Sequence, residues 1–408
     1  MTRDIGIGGC GVAGLALATL LARAGHRVVI FDKLAEPAPL GSGLILQPAG
    51  MAVLRVLGLD ARMHDLGARI DRLFGRAQPS GHVVLDVRYA ALPGDLHGVA
   101  VHRGALFDAL LDTARRAGVI MEPHADIAGI ESRAFVFADG RRSASFDVLI
   151  DALGVRSPLS PKKGVSLTYG ALWGNLDWPA GDVFDAHALE QRYERARRMV
   201  GVLPIGRLAP DKPAQCAYFW SLKGADLAAW RAAPLNAWKD QVRALWPQTE
   251  PFLAQVTSHD DLVFAQYAHR TLSSPLSPGV IHVGDSYHCT SPQLGQGANM
   301  ALLDAYALSE ALARHADLGE AARAYARMRH THVRLYQTAS WLFTPVYQSD
   351  STWLPILRDR IAGPLSKIPP APQILAGLVA GAIGSPLAAI GARGAPARAM
   401  LPSADVAS

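Results

Sequence analysis

The sequence predicts an α/β protein: a doubly wound parallel sheet, an inserted and mostly antiparallel second sheet, and a helical C-terminal region. Three observations predict it. Asp4 to Lys33 runs strand, glycine turn, helix, strand. From Pro158 to about Ser277 short strand-like stretches follow one another, and six of the eight tryptophans lie there. From Val280 onward strand-then-helix order returns, and helical sequence continues to Leu342.

The opening unit is the most informative. Ile5 to Gly8 is a short apolar strand, Gly9-Cys10-Gly11-Val12-Ala13-Gly14 is G-x-G-x-x-G, and Leu15 to Ala24 is an unbroken run of helix formers stopped by Gly25. Arg27 to Phe31 is a second, β-branched strand, ended by Asp32 and Lys33. Together these make the dinucleotide-binding βαβ fingerprint. Gly9 permits the tight turn, Gly11 leaves room for a pyrophosphate, and Gly14 lets helix and strand approach. The helix N-terminus offers N–H groups and the positive end of its dipole. Asp32 can accept from both hydroxyls of an unphosphorylated ribose, as in FAD or NAD.

Length and composition set the frame. At 408 residues, half of them hydrophobic, two or three domains are expected. The net charge of +5 is spread without a Lys/Arg run, which argues against a nucleic-acid footprint and fits mild attraction for anionic cofactors. Cys10, Cys216 and Cys289 are far apart and form no C-x-x-C, as expected of free thiols in a cytoplasmic protein. No segment reads as a membrane span. Ile374 to Ala392 carries four glycines and Pro386, so it is expected to pack on the protein, with a peripheral membrane contact left open.

After a Pro-rich loop, Glu36 to Leu40, the stretch Gly41 to Pro48 precedes a helix from Ala49 to Leu57. Ile70 to Tyr89 alternates as a half-exposed hairpin turning at Pro79-Ser80-Gly81. Arg103 leads a helix from Gly104 to Ala117. Strands follow at Val119 to Met121, Ala134 to Phe137 and Phe146 to Ile150. In the tryptophan-rich region strands are expected at Val165 to Trp173, Arg198 to Leu203, Gln215 to Leu222 and Asp261 to Tyr267, with a helix at Pro234 to Leu245. Its aromatic side chains fit equally an ordinary core or a flat ring-accepting pocket, with Tyr169, Tyr218, Tyr267 and His269 as candidate lining. Val280 to Val283 is then a buried strand, Asp285 stands at its carboxyl end, and Gly295-Gln296-Gly297-Ala298-Asn299 opens a helix to about Arg314. The expected division is 1–69, 99–157 and 278–342 for the dinucleotide-binding domain and its long helices, 70–98 and 158–277 for the substrate domain, and 343–408 for a Pro/Gly-rich helical tail whose end, after Arg393, is expected to be mobile.

These residues resemble the FAD-dependent aromatic hydroxylases, the class A flavoprotein monooxygenases typified by para-hydroxybenzoate hydroxylase. The likeness runs from Ile5 to about Leu342, with Pro158 to Ser277 alike only in texture. Gly284-Asp285-Ser286-Tyr287-His288, then Ser291-Pro292 and Gly295-Gln296-Gly297-Ala298-Asn299, is similar to the family's second FAD motif. The resemblance implies a Rossmann-type FAD-binding domain with Asp285 on a ribityl hydroxyl. It places the Leu294-to-Asn299 turn along the pyrimidine edge of the flavin, Pro292 at the reaction site, Arg103 near the pyrophosphate, and Gly43 to Gln47 beside the isoalloxazine. At the middle motif, D-G-x-x-S with a later arginine, this chain has Leu153 in place of the aspartate and Ser160 in place of the arginine. Normal reduction by NADH or NADPH is thereby questioned.

The resemblance implies an enzyme in which NADH or NADPH reduces bound FAD, O₂ forms a flavin hydroperoxide, and one oxygen atom enters a small aromatic or heteroaromatic ring. No residue can be assigned as acid or base. A flavin oxidoreductase without oxygenation and a catalytically silent FAD-binding protein stay open as alternatives. The sequence offers no metal site: His282, His288 and Cys289 have no fourth ligand at a recognisable spacing. His330 and His332, two apart on a helix, read as surface residues.

Overall fold

A computed structural model describes residues 2–36, 41–384 and 386–389, so most of the Pro-rich loop and the segment after Ala389 lie outside the described residues. The first sheet has six strands in the order Leu276–Ser277, Val280–His282, Val148–Asp151, Asp4–Gly8, Arg27–Phe31 and Ile120–Glu122. All neighbours are parallel except the first pair. Both faces are covered, which is why Ile5, Ile7, Val28 and Ile150 form unbroken apolar runs. The helix Val12–Arg23 packs against the later helix Gly297–Arg314, so the two glycine turns are brought to one edge of the sheet.

The second sheet has eight strands in the order His288–Cys289, Val263–Thr271, Val165–Asp177, Ala214–Lys223, Arg198–Arg207, Ala188–Glu194, Arg72–Ala77 and Val83–Arg88. It is antiparallel but for the parallel pairing of Ala188–Glu194 with Arg72–Ala77. The hairpin read at Ile70 to Tyr89 is therefore the far edge of this sheet. The strand Ala188–Glu194, ALEQRYE, gives no apolar run in sequence; two neighbours recruit it. A three-stranded sheet of Gly43–Leu46, Gly98–His102 and Ala68–Ile70 packs against the strands Arg198–Arg207 and Ala214–Lys223 of the second sheet.

The tryptophans divide by face. Trp220, Trp230, Trp238 and Trp246 are buried with Val242, Phe252 and Leu262 between the second sheet and the helices around Leu235–Leu245. Tyr218 is in the same core. The core reading therefore wins for these residues, each contributing on the order of 2–3 kcal/mol through burial. Trp173 points to the opposite face, stacks on Phe219 at 4.6 Å between centroids and donates its indole N–H to Tyr267 Oη at 2.8 Å.

The helix Leu318–Tyr347 is longer than expected and runs past Leu342 with Pro345 in its last turn. The helix Ala371–Val379 docks on the body: Tyr336 Oη donates to Leu378 O, Gln296 Nε2 to Val379 O and Ala49 N to Ala380 O. The expected packing of Ile374 onward is observed as far as the described residues go. No helix among them is long and apolar enough to cross a membrane.

Candidate active site

The first glycine turn is built for close approach. Gly9 takes φ +103°, and its N–H donates to Phe31 O at 2.7 Å. A Cβ at Gly14 would lie 2.0 Å from Gly9 O, so only glycine fits there. A Cβ at Gly11 would meet no atom within 4 Å. The two positions thus differ in kind: Gly14 is filled by protein, and Gly11 opens onto space. Asp32 accepts from Cys10 N at 3.0 Å and Leu34 N at 2.9 Å, which fixes its carboxylate beside the turn. Val12 is half-buried, Ala13 buried and Lys33 exposed.

The second turn meets the first. Gly284 has φ +62°, and a Cβ there would lie 3.1 Å from Ala13 Cβ. Asp285 follows at once. It is accessible, yet enclosed by protein, so its opening is onto the cleft: burial raises its carboxyl above the ordinary value against the lowering pull of His288, Arg103 and Arg270. Arg103 is accessible from the same side, and burial lowers its guanidinium against the pull of Asp285. That guanidinium lies over Gly41, 3.2 Å from where a Cβ would stand.

The Gly43–Leu46 strand and the Gly295 turn form the next wall. Asn299 Oδ1 accepts from Gln47 N at 2.8 Å, and Asn299 Nδ2 donates to Ile45 O and Gly295 O. Tyr89 donates to Gln47 Oε1. Gln47 Nε2 is buried with no partner among the described residues, and it faces the Gly295 turn. Gln296 points elsewhere, holding Val379 O, while Gly297 and Pro292 are exposed and Ala298 half-buried. Ser42 reaches across to Asn175 of the second sheet, whose amide also meets His102 Nε2 at 2.8 Å.

These residues fit a flavin dinucleotide. Gly11 and Gly297 leave Cβ-sized gaps at two helix N-termini without side-chain caps, Arg103 and Asp285 oppose each other in one cleft, and Gln47 Nε2 is an orphaned donor on its wall.

Behind the Asp285 turn stands a group that sequence reading missed. Asp304, fully buried, accepts from Gly284 N at 2.8 Å, His288 Nε2 at 2.7 Å and Arg329 Nε at 2.7 Å. Burial would push its carboxyl up; the charges and hydrogen bonds of His288 and Arg329 outweigh that and hold it at about 2. Arg329 also meets His332 Nδ1 at 3.2 Å. His332 is therefore a core residue, and the surface reading is corrected: it lies on the same face as Arg329, whereas His330 is exposed. Asp304 was visible as the lone charge in an otherwise apolar helical stripe, Met300 to Leu308.

The middle motif is reorganised. Asp151 is fully buried and accepts from Leu153 N, Ser157 Oγ and His282, so it is turned away from the cleft. Leu153 packs against the cluster of Phe31, Ile127 and Phe146. A guanidinium nevertheless stands beside Ser160. Arg270, buried, donates to Lys162 O, Gly154 O and Asp285 O, the last at 2.6 Å. It ties the altered loop to the Asp285 turn, and no sequence signal marked it. His282 spans Asp151 and Ser277, and His288 is spent on Asp304. Burial pushes the Cys289 thiol up to about 12, so it stays protonated and unreactive.

A cleft of about 400 Å³ is lined by Tyr169, His269, Trp341, Leu342, Thr344 and Gln348, among others. Thr344 Oγ1, from its lining, meets Ser291 Oγ, the neighbour of Pro292, at 2.6 Å, and burial lowers the His269 imidazole, keeping it neutral near pH 7.

A parallel sheet with two glycine turns at its carboxyl edge, joined to a large antiparallel sheet, is the architecture of an FAD-binding flavoprotein. The profile of the family described as FAD binding domain matches residues 2–337, and the chain belongs to that family. It is 24% identical over 374 residues to 6-hydroxynicotinate 3-monooxygenase of Pseudomonas fluorescens, covering 83% of this chain and 94% of the relative. It is 28% identical over 363 residues to kynurenine 3-monooxygenase of Salinispora arenicola, covering 80% and 76%. The fold matches that of Klebsiella pneumoniae HpxO complexed with FAD and uric acid, with TM-score 0.75, 19% identity, and 93% and 97% of the two chains covered.

Proposed function

We propose that this protein is an FAD-dependent monooxygenase that uses NADH or NADPH and O₂ to hydroxylate a small aromatic or heteroaromatic ring. The observation that carries the reading is the open space at Gly11 on the first glycine turn, which packs at Ala13 against the Gly284-Asp285 turn, together with the orphaned Gln47 amide beside the Gly295 turn; a mostly apolar pocket lined by Tyr169, His269 and Trp341 would take the ring. Relatives named for hydroxynicotinate, kynurenine and urate support a ring substrate. FAD, when bound and reduced, supplies the activation of O₂; the residues of the chain do the rest.

Gly9, Gly11, Val12, Ala13 and Gly14 would cradle the pyrophosphate, with Asp32 on the adenosine ribose, Lys33 at its edge and Arg103 neutralising phosphate charge. Asp285 would hold the ribityl chain. Gly43, Gln47, Gly295, Gln296, Gly297, Ala298 and Asn299 would frame the flavin ring, Gln296 through its backbone because its side chain is committed to Val379. Pro292 would border the ring substrate. Trp173 and Tyr267 offer a flat apolar wall, and neutral His269 can accept a proton from a ring hydroxyl.

The test is reductant consumption by the FAD-loaded protein in air with a panel of hydroxylated, aminated and carboxylated single and fused rings. Ring-dependent oxidation of NADH or NADPH with a product heavier by one oxygen atom is the expected result. Ring-independent oxidation with peroxide as the sole product favours the plain oxidoreductase reading, and no oxidation at all favours the silent FAD-binding protein.

A further inference from the structure

We infer that the helical run from Trp353 to Leu365, with Ile368 just beyond it, is a docking face for an anionic lipid bilayer surface. Nine of the fifteen exposed large hydrophobic residues among the described residues fall between Trp341 and Ile374. Within the run they recur at helical spacing: Trp353, Ile356, Leu357, Ile361 and Leu365 are all exposed, Trp353 to 78%. The opposite face is turned inward. Pro355, Arg358 and Gly363 are buried there, with Arg358 Nε on Asp359 at 2.7 Å and Nη1 on Val346 O. Soluble helices place apolar residues inward and charges outward; this one does the reverse.

Charge chooses the occupant. Between Ser351 and Gly384 the single acidic residue is Asp359, and Arg358 neutralises it. The remaining charges, Arg360 and Lys367, are exposed and positive. Apolar side chains with an exposed tryptophan, flanked by cations and with no free carboxylate, match the interface of a membrane carrying anionic headgroups. Trp341, which lines the pocket beside His269, adds a second tryptophan, 68% exposed. The inference does not rest on the hydroxylase reading.

The experiment is co-sedimentation of the full-length, FAD-loaded protein with phosphatidylcholine vesicles, with and without phosphatidylglycerol. The wild type is expected to partition onto the anionic vesicles and to be released by salt. Replacing Trp353, Leu357 and Ile361 together by Ser should weaken partition by on the order of a hundredfold or more. Arg360→Gln with Lys367→Gln should weaken it on anionic vesicles by roughly tenfold or more and leave FAD content unchanged. Wild type that binds neither vesicle overturns the inference. So does a dimer, seen by light scattering, that the triple variant dissociates while vesicle binding is absent. Because Arg360 and Lys367 are exposed, that second variant tests the idea even where the triple variant fails to fold.

Discussion

Gly11→Ala separates folding from cofactor binding. Gly11 has φ −81° and ψ −174°, a region any residue adopts, and a Cβ there meets no protein atom within 4 Å. The apo protein should therefore lose at most about 1 kcal/mol, the ordinary difference between glycine and alanine at an N-cap. The added methyl occupies the space a pyrophosphate needs. If it displaces two charge-assisted hydrogen bonds worth about 1.5–3 kcal/mol each, the loss is about 3–6 kcal/mol, or roughly two to four orders of magnitude in FAD affinity. Gly14→Ala should do the opposite: its Cβ would strike the Gly9 carbonyl at 2.0 Å, costing about 1–3 kcal/mol or more in the apo protein itself. The assays are FAD titration of the apo protein by fluorescence and urea unfolding of each apo variant. Gly11→Ala protein that binds FAD as tightly as wild type would refute the placement of the pyrophosphate.

Asp304→Asn leaves the buried Arg329 guanidinium without its counter-charge and should cost about 3–5 kcal/mol in urea unfolding near neutral pH. Because Asp304 titrates at about 2 in the folded protein against an ordinary 3.8, its stabilisation is complete above the ordinary value and is lost as pH falls through about 2. The gap between wild type and variant should accordingly narrow on acidification below pH about 4; a gap that widens contradicts the assignment. Arg270→Met removes three donations to Gly154, Lys162 and Asp285 and should weaken FAD binding about tenfold or more. Lysine should not restore it, since one ammonium cannot span three carbonyls. Leu153→Asp restores a hydrogen-bond acceptor in the loop and should speed anaerobic reduction by NADH or NADPH about tenfold to a hundredfold in stopped flow. Adding Ser160→Arg should gain nothing, because the Arg270 guanidinium already stands at Lys162 O; unchanged reduction with FAD fully bound sinks the proposal.

The glycine-turn edge of the first sheet was legible because its determinants are local. Gly9, Gly11 and Gly14 act within one turn, and Asp285 stands three residues after the end of its strand, so spacing along the chain reports geometry. The face of the second sheet was not legible, since Trp173 and Trp220 occur in similar strand contexts and only pairing decides which faces the helices and which the cleft. The strand Ala188–Glu194 escaped for the same reason: its stability comes from two neighbours, one of them more than a hundred residues away. Arg270 and Asp304 needed tertiary contacts to acquire meaning, although a lone aspartate in an apolar helical stripe was a readable anomaly. His332 shows the limit of helical-wheel reasoning, because the long helix is sheathed on more than one side.

The side chain of Gln296 makes its bond backwards. It belongs to the turn proposed to frame the cofactor, yet its amide holds Val379 O, beside the Tyr336 bond to Leu378 O. Whatever orders that turn therefore also steadies the C-terminal helix, and whatever loosens the helix taxes the turn: the two are thermodynamically linked. Loading the cofactor should slow amide exchange in Ala371–Val379, far from any phosphate, and emptying the protein should quicken it. The C-terminal helices would then report whether the enzyme is charged before any chemistry begins.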